Sequence, residues 1–77
     1  MKLKDLLEVV SIGSNIFVFD NGRPTIGAIA IREVDEVDNC VFEYKYNGIN
    51  SIEEIEDYKV TFVCSPKENY ISIFISK

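Results

Sequence analysis

The chain has 77 residues, 47% of them hydrophobic and 27% charged, which is the composition of one small folded domain rather than of a disordered tail. Thirteen acidic residues against eight basic ones give a net charge of −5, a balance that disfavours direct binding to nucleic acid or to an anionic membrane surface. Histidine is absent, which removes the commonest general base and most catalytic zinc sites. We therefore expect residues 1–77 to form a single domain that is not an enzyme and uses no cofactor or metal.

Apolar residues at helical and strand spacing predict the elements of the first half. Leucine and valine recur at i, i+3, i+4 and i+7 in residues 3–10, which predicts a short helix with one buried face. Residues 16–19 are apolar on both faces, as in a central strand covered on each side. Residues 20–24 have the composition of a turn, and residues 25–33 are expected to form the second strand.

The second half carries the clearest strand pattern. Aromatic and polar side chains alternate in residues 40–46, which predicts a strand that ends at the Asn47-Gly48 turn. Ser51 is followed three residues later by Glu54, and this capping box predicts one or two helical turns that end at about Asp57. Residues 58–65 and 70–76 are predicted strands, joined by a hairpin turn at residues 66–69.

This order of elements favours an α+β domain. We expect an antiparallel sheet of four or five strands, with the N-terminal helix packed on one face and a short second helix before the C-terminal hairpin.

The sequence also indicates a protein of the cytoplasm. No apolar stretch approaches the roughly 20 residues of a membrane span, and Asp5 and Glu8 interrupt what would be the apolar part of a signal peptide. Cys40 and Cys64 match no metal-binding or redox spacing and are interpreted as reduced thiols. Because Cys64 alternates with Val60 and Phe62, we expect it in the core.

Acidic residues are concentrated in two runs, which together hold 8 of the 13 carboxylates. The runs consist of Glu33, Asp35, Glu36 and Asp38, and of Glu53, Glu54, Glu56 and Asp57. One interpretation is that both runs only solvate a small protein, with the helix N-terminus favouring the second. The other is that they dock on a basic surface of another protein, with Tyr58 and Tyr70 as aromatic anchors at strand starts.

Segments at both ends of the chain carry a resemblance to known proteins. They are the opening Lys2-Leu3-Lys4-Asp5-Leu6-Leu7-Glu8-Val9-Val10, the strand that ends in Asp20-Asn21-Gly22, and the closing strands with Lys59-Val60-Thr61 and Ile71-Ser72-Ile73-Phe74-Ile75. In these features the chain resembles small phage and mobile-element proteins of low-GC Gram-positive bacteria, from which the acidic stretch 33–39 departs. That group includes inhibitors of bacterial immunity, anti-CRISPR proteins among them. The resemblance therefore implies an anti-defence role in the cytoplasm of a bacterial host.

Three functional hypotheses follow. The lead hypothesis is a non-enzymatic phage-type protein that inhibits a host defence protein, such as a nucleic-acid-binding effector with a basic surface, by binding it through the acidic, tyrosine-bearing surface. The second is an assembly module that pairs an exposed edge strand with a second copy, forming a homodimer or a larger assembly. The third is a sponge for a small ligand, held by converging basic residues: Arg23, Arg32, Lys45 and Lys59.

Overall fold

A computed structural model describes residues 1–10, 13–22, 27–33 and 45–77. The elements in chain order are helix α1 (Leu3–Val9), strands β1 (Asn15–Asp20), β2 (Ala30–Arg32) and β3 (Lys45–Tyr46), a 3₁₀ turn (Ile52–Glu54), and strands β4 (Lys59–Lys67) and β5 (Tyr70–Ser76). The domain is α+β, as the order of sequence patterns predicted.

The strands form one sheet in the order β3-β2-β1-β5-β4. The neighbours β1 and β2, β2 and β3, and β4 and β5 are antiparallel. By contrast, β1 and β5 are parallel, with Ile16 beside Ile71 and Val18 beside Ile73. The sheet is therefore mixed, and the prediction of a purely antiparallel sheet was wrong at this pair. Between β3 and β5 the chain passes through the 3₁₀ turn and β4. This connection is long enough for β5 to run in the same direction as β1.

The predicted second helix is only a 3₁₀ turn. The backbone N–H of Ile55 donates to the carbonyl of Ile52 at 3.0 Å, and that of Tyr58 donates to the carbonyl of Ile55 at 3.0 Å, so both bonds span three residues rather than four. Ile55 itself leaves helical geometry, with φ −123° and ψ −3°, and its side chain is buried in the core. The capping box thus starts a turn that stops as soon as Ile55 is placed inside.

Strand boundaries differ from the predicted ones mainly in the first half. Residues 25 and 26 of the predicted strand 25–33 lie outside the described residues, and among the others β2 covers Ala30–Arg32. Of the predicted strand 40–46, only Lys45–Tyr46 belongs to the described part of the chain. The C-terminal hairpin is confirmed, although β4 continues to Lys67 and the turn is shorter than predicted. Asn69 occupies that turn with φ 64°, a conformation that asparagine tolerates better than most residues.

The core lies on one face of the sheet. Ile16 and Val18 of β1 and Ile73 and Ile75 of β5 are fully buried there, together with Leu3 of α1. Further leucines and valines of the N-terminal segment pack against this cluster: Leu6, Leu7 and Val10. Helix α1 is therefore held against the sheet by the apolar positions that predicted it.

We expect Ile73→Ala to lower the free energy of unfolding by about 2–5 kcal/mol, because truncating a fully buried isoleucine leaves a cavity in the core. The matched control is Val63→Ala on β4, directly opposite Ile73. Since the Val63 side chain is 44% exposed, its truncation should cost less than about 1 kcal/mol. Urea denaturation followed by circular dichroism measures both, and equal losses would contradict the placement of the core.

Candidate protein-binding surface

The sheet face opposite the core is lined with aromatic side chains. Alternation along the strands directs Phe17 and Phe19 of β1 and Tyr70 and Phe74 of β5 away from the buried isoleucines, and Phe62 of β4 lies directly opposite Phe74. We call these five residues the aromatic face. Phe62 is 58% exposed, whereas the other four are half-buried.

The rings of the aromatic face contact one another across three strands. Phe19 and Phe74 stack with centroids 4.9 Å apart, and Phe74 meets Phe62 in a tilted arrangement at 5.6 Å. These three form what we call the aromatic row, which runs from β1 to the outer strand β4. Phe17 and Tyr70 stack at 5.8 Å, and the ammonium of Lys67 lies 4.2 Å from the centre of the Tyr70 ring. All these separations are favourable for aromatic pairs and for a cation over a ring.

A shift in register on β4 brings Phe62 to this face. Val60 lies opposite the buried Ile75, but Phe62 lies opposite Phe74, so one extra residue of β4 intervenes. That residue is Thr61, whose hydroxyl donates to the carbonyl of Phe74 at 3.0 Å and accepts from the side-chain amide of Asn21 at 2.8 Å. The bulge reverses the alternation of side chains along the strand.

Because of the same bulge, Cys64 does not lie in the core, where the sequence predicted it. Cys64 lies opposite Ser72, on the side of the sheet away from the core, and is half-buried. Simple alternation with Val60 and Phe62 predicted a core position, which was wrong because the alternation is broken between those two residues.

Among the described residues, only the first few of the chain cover the outer edge of β4, and they do so at its start. Lys2 forms an antiparallel bridge with Lys59, the backbone N–H of Val60 donates to the carbonyl of Met1 at 2.9 Å, and the N–H of Leu3 donates to the carbonyl of Tyr58 at 2.9 Å. Beyond Val60, no strand in the described part of the chain pairs with this edge. Phe62 and Val63, which are 58% and 44% exposed, lie in the uncovered stretch.

Two acids of the second run have local structural partners. The carboxylate of Glu54 accepts hydrogen bonds from the backbone N–H groups of Asn50 and Ser51, the latter at 3.0 Å. One carboxylate oxygen of Asp57 lies 3.6 Å from the ammonium of Lys2 and 3.5 Å from that of Lys4. Glu53 is exposed and Glu56 is half-buried, and neither of these two acids takes part in the contacts of Glu54 and Asp57.

The first acidic run is described only at Glu33. Its carboxylate lies 3.6 Å from the ammonium of Lys45, in an exposed ion pair between the residue that follows β2 and the first residue of β3. The other three members, Asp35, Glu36 and Asp38, lie outside the described residues.

The two candidate tyrosines do not share a surface. Tyr58 packs against the core cluster, at the end of the sheet where Lys59 pairs with Ser76. Tyr70 lies on the aromatic face at the other end of β5, about 20 Å away along the strand. The structure therefore separates Tyr70 from the second acidic run and stacks it on Phe17 instead.

The basic residues considered for a ligand sponge are also dispersed. Lys45 is on β3 and Lys59 is on β4, and these strands are the two outer strands of the sheet. Four strand spacings separate them, which is about 19 Å. Arg32 lies between them on β2, and Arg23 is not among the described residues.

Sequence reasoning missed the aromatic face. Aromatic residues at alternate positions of residues 16–19 and 70–76 were a signal, because each strand leaves them on the side away from its isoleucines and valines. The signal becomes a surface only when β1 and β5 are neighbours, and local patterns do not specify that pairing.

Comparison with known proteins adds no assignment: no protein family, curated protein or solved structure matches the chain. Within residues 1–10, 13–22, 27–33 and 45–77, no three cysteine or carboxylate side chains are grouped so that they could hold a metal ion. No helix in those ranges has the length and apolar character needed to cross a membrane.

We expect Glu54→Ala to destabilise the fold by about 1 kcal/mol, because two backbone N–H groups before the 3₁₀ turn lose their acceptor. The adjacent Glu53→Ala is the matched control, since it removes an acid of equal charge without touching those two groups, and it should lower the melting temperature less. Thermal denaturation at neutral pH compares them. A loss at Glu53 as large as that at Glu54 would contradict the structural role of Glu54.

The pKa of Glu53 lies below its ordinary value, first because its carboxylate accepts a hydrogen bond from its own backbone N–H and second because it accepts one from the Ser51 hydroxyl. A lowered pKa in the folded state stabilises the fold above the ordinary pKa, and this contribution disappears as the pH falls through the folded value. Ser51→Ala should raise the pKa of Glu53, as followed by NMR titration of its carboxyl carbon. Ser72→Ala on β5 is the control, and an unchanged pKa in Ser51→Ala would refute the assigned contact.

Proposed function

We propose that the chain is a non-enzymatic, phage-type protein that binds and inhibits a host defence protein in the cytoplasm of a bacterium. The observation that carries this proposal is the exposed pair Phe62 and Val63, which lies where the aromatic row reaches the uncovered edge of β4. Large aromatic side chains dominate the binding energy of protein interfaces, and exposed apolar groups beside a paired sheet favour a protein partner.

The proposed contact surface is mainly aromatic, whereas the sequence indicated a surface that is mainly acidic and bears tyrosines. Tyr70 belongs to the contact because it stacks on Phe17 within the aromatic face. Glu54 and Asp57 already serve the fold, so their contribution to a partner is small. We assign Glu53 and Glu56 a supporting role, in which their carboxylates, exposed at Glu53 and half-buried at Glu56, attract a basic surface of the partner and raise the association rate.

The absence of histidine supports a binding role rather than catalysis, since the chain lacks the commonest general base. An inhibitor of this size needs only one protein-binding surface. The aromatic face and the edge of β4 supply that surface.

The proposal is tested by expressing the chain in bacteria that carry a defined CRISPR–Cas or restriction system and challenging them with a targeted phage. We expect the wild-type chain to restore plaque formation and Phe62→Ser to abolish it. With the purified target, Phe62→Ser should weaken affinity roughly thirtyfold, the effect of removing a central interface aromatic.

The matched control is Glu53→Ser together with Glu56→Ser, which should keep the dissociation rate and slow association. Circular dichroism of each variant shows that it is folded. If the wild-type chain protects phage from none of the systems tested, the anti-defence function is contradicted. If the double variant of Glu53 and Glu56 loses binding and Phe62→Ser does not, the acidic run is the binding surface instead.

A further inference from the structure

We propose that the outer edge of β4, from Thr61 to Lys67, binds an extended acidic segment of a partner protein as an added strand of the sheet. This deepens the proposed function, on which it rests for the partner being a protein. It adds the conformation and charge of the segment that is bound.

At the centre of this stretch, the backbone of β4 offers groups that pair with no other strand in the described ranges. The N–H of Val60 points away from β5, because it donates to the carbonyl of Met1. Opposite Val60 lies Ile75, whose carbonyl points away from β4 and accepts from the N–H of Asn21, the residue that follows β1. Backbone directions alternate along an antiparallel pair. Ile73, two residues before Ile75, is the next residue of β5 whose backbone groups point away from β4. Val63 lies opposite Ile73 and therefore also directs its N–H and carbonyl away from β5. No strand in the described ranges lies on that side of Val63.

The first residues of the chain show that this edge accepts an added strand. Met1–Leu3 makes the bonds of a short antiparallel strand to residues 58–60 and then turns into α1. A segment that continues in line with it meets Val63, with the exposed Phe62 on one face of the new strand. Addition of a strand to an exposed sheet edge is a common way for proteins to bind extended peptides.

Charge decides which segment fits. Strand β4 carries Lys59 and Lys67 at its two ends and no acidic residue between them, in a chain whose net charge is −5. An acidic segment therefore finds a complementary edge.

A second copy of β4 finds only a short edge without complementary charge. Because Met1–Leu3 occupies residues 58–60, antiparallel pairing about Val63 could extend only from Thr61 to Ser65, and β4 brings no acidic residue to Lys67.

The length of the segment follows from the register. The stretch from Phe62 to Lys67 lies against β5 from Phe74 to Tyr70, which is four residue steps or about 13 Å. Five residues of an added strand fill that length, and one acid on each side brings a carboxylate toward Lys59 or Lys67. The binding segment is therefore short, with acids at its ends and residues of high strand propensity between them.

The test uses two labelled synthetic peptides of seven residues, both with alternating valine and threonine in the middle, one with glutamate at each end and the other with lysine. Fluorescence anisotropy with the full chain should show roughly tenfold tighter binding of the acidic peptide, the effect of two exposed ion pairs and the loss of two repulsions. The difference should shrink at high salt. NMR of the wild-type chain should place the largest amide shifts at Val63 and its neighbours.

Two variants separate the backbone from the side chain at the same position. Val63→Pro removes the outward N–H and should abolish binding, whereas Val63→Ala keeps it and should retain most of the affinity. If Val63→Pro does not fold, the amide shifts of the wild-type chain decide.

The inference is overturned by equal affinity for the two peptides, by binding of neither at millimolar concentration, or by shifts confined to another edge. A concentration-dependent dimer with a protected Val63 amide would overturn it in favour of a second copy. Because no host protein enters this assay, its failure is distinct from failure of phage protection.

Discussion

The parallel pairing of β1 with β5 is the contact on which the rest of the domain depends. It joins two strands that lie near opposite ends of the chain and places their isoleucines and valines on one face, where Ile16, Val18, Ile73 and Ile75 are fully buried. The other strands attach to this pair, β2 and β3 beside β1 and β4 beside β5. The long loop that the pairing closes costs entropy, so the centre of the sheet forms only when both strands are present.

The same pairing builds the opposite face. Once the isoleucines of β5 lie level with the apolar residues of β1, the intervening aromatic residues of both strands must also lie level, and Phe19 stacks on Phe74 as a consequence. Core and candidate binding surface are therefore not independent features of this sequence. A shift of β5 by one residue would turn Tyr70 and Phe74 toward the core and expose the isoleucines of this strand.

Local patterns predicted the parts of this fold that depend on local interactions. The helix at residues 3–10, the strand Tyr70–Ser76 and the start of a turn at Ser51 are all set by residues within a few positions of one another, and the structure has each of them. The parallel pair was not predictable in this way, since hairpin turns carry a sequence signal and a long crossover does not.

The candidate site followed the same division. Tyr70 was identified from its place at a strand start, but its neighbour Phe17 comes from the far end of the chain. The exposure of Phe62 depends on the bulge at Thr61, which is stabilised by Asn21 from a distant turn. The acidic runs were visible in the sequence, yet Asp57 meets Lys2 and Lys4 only because the N-terminal segment lies along β4.

The short strand formed by Met1–Leu3 has a consequence for solubility. An outer strand of nine residues with Phe62 and Val63 exposed is a template for uncontrolled sheet-to-sheet association, and proteins reduce that hazard with bulges, lysines and proline. Strand β4 has all three, in its two register shifts, its terminal lysines and Pro66. Met1–Leu3 adds a fourth by occupying the start of the edge. A chain that lacked Met1 and Lys2 would keep Leu3 in the core and yet expose the start of this edge to association, so these two residues protect the solubility of the protein.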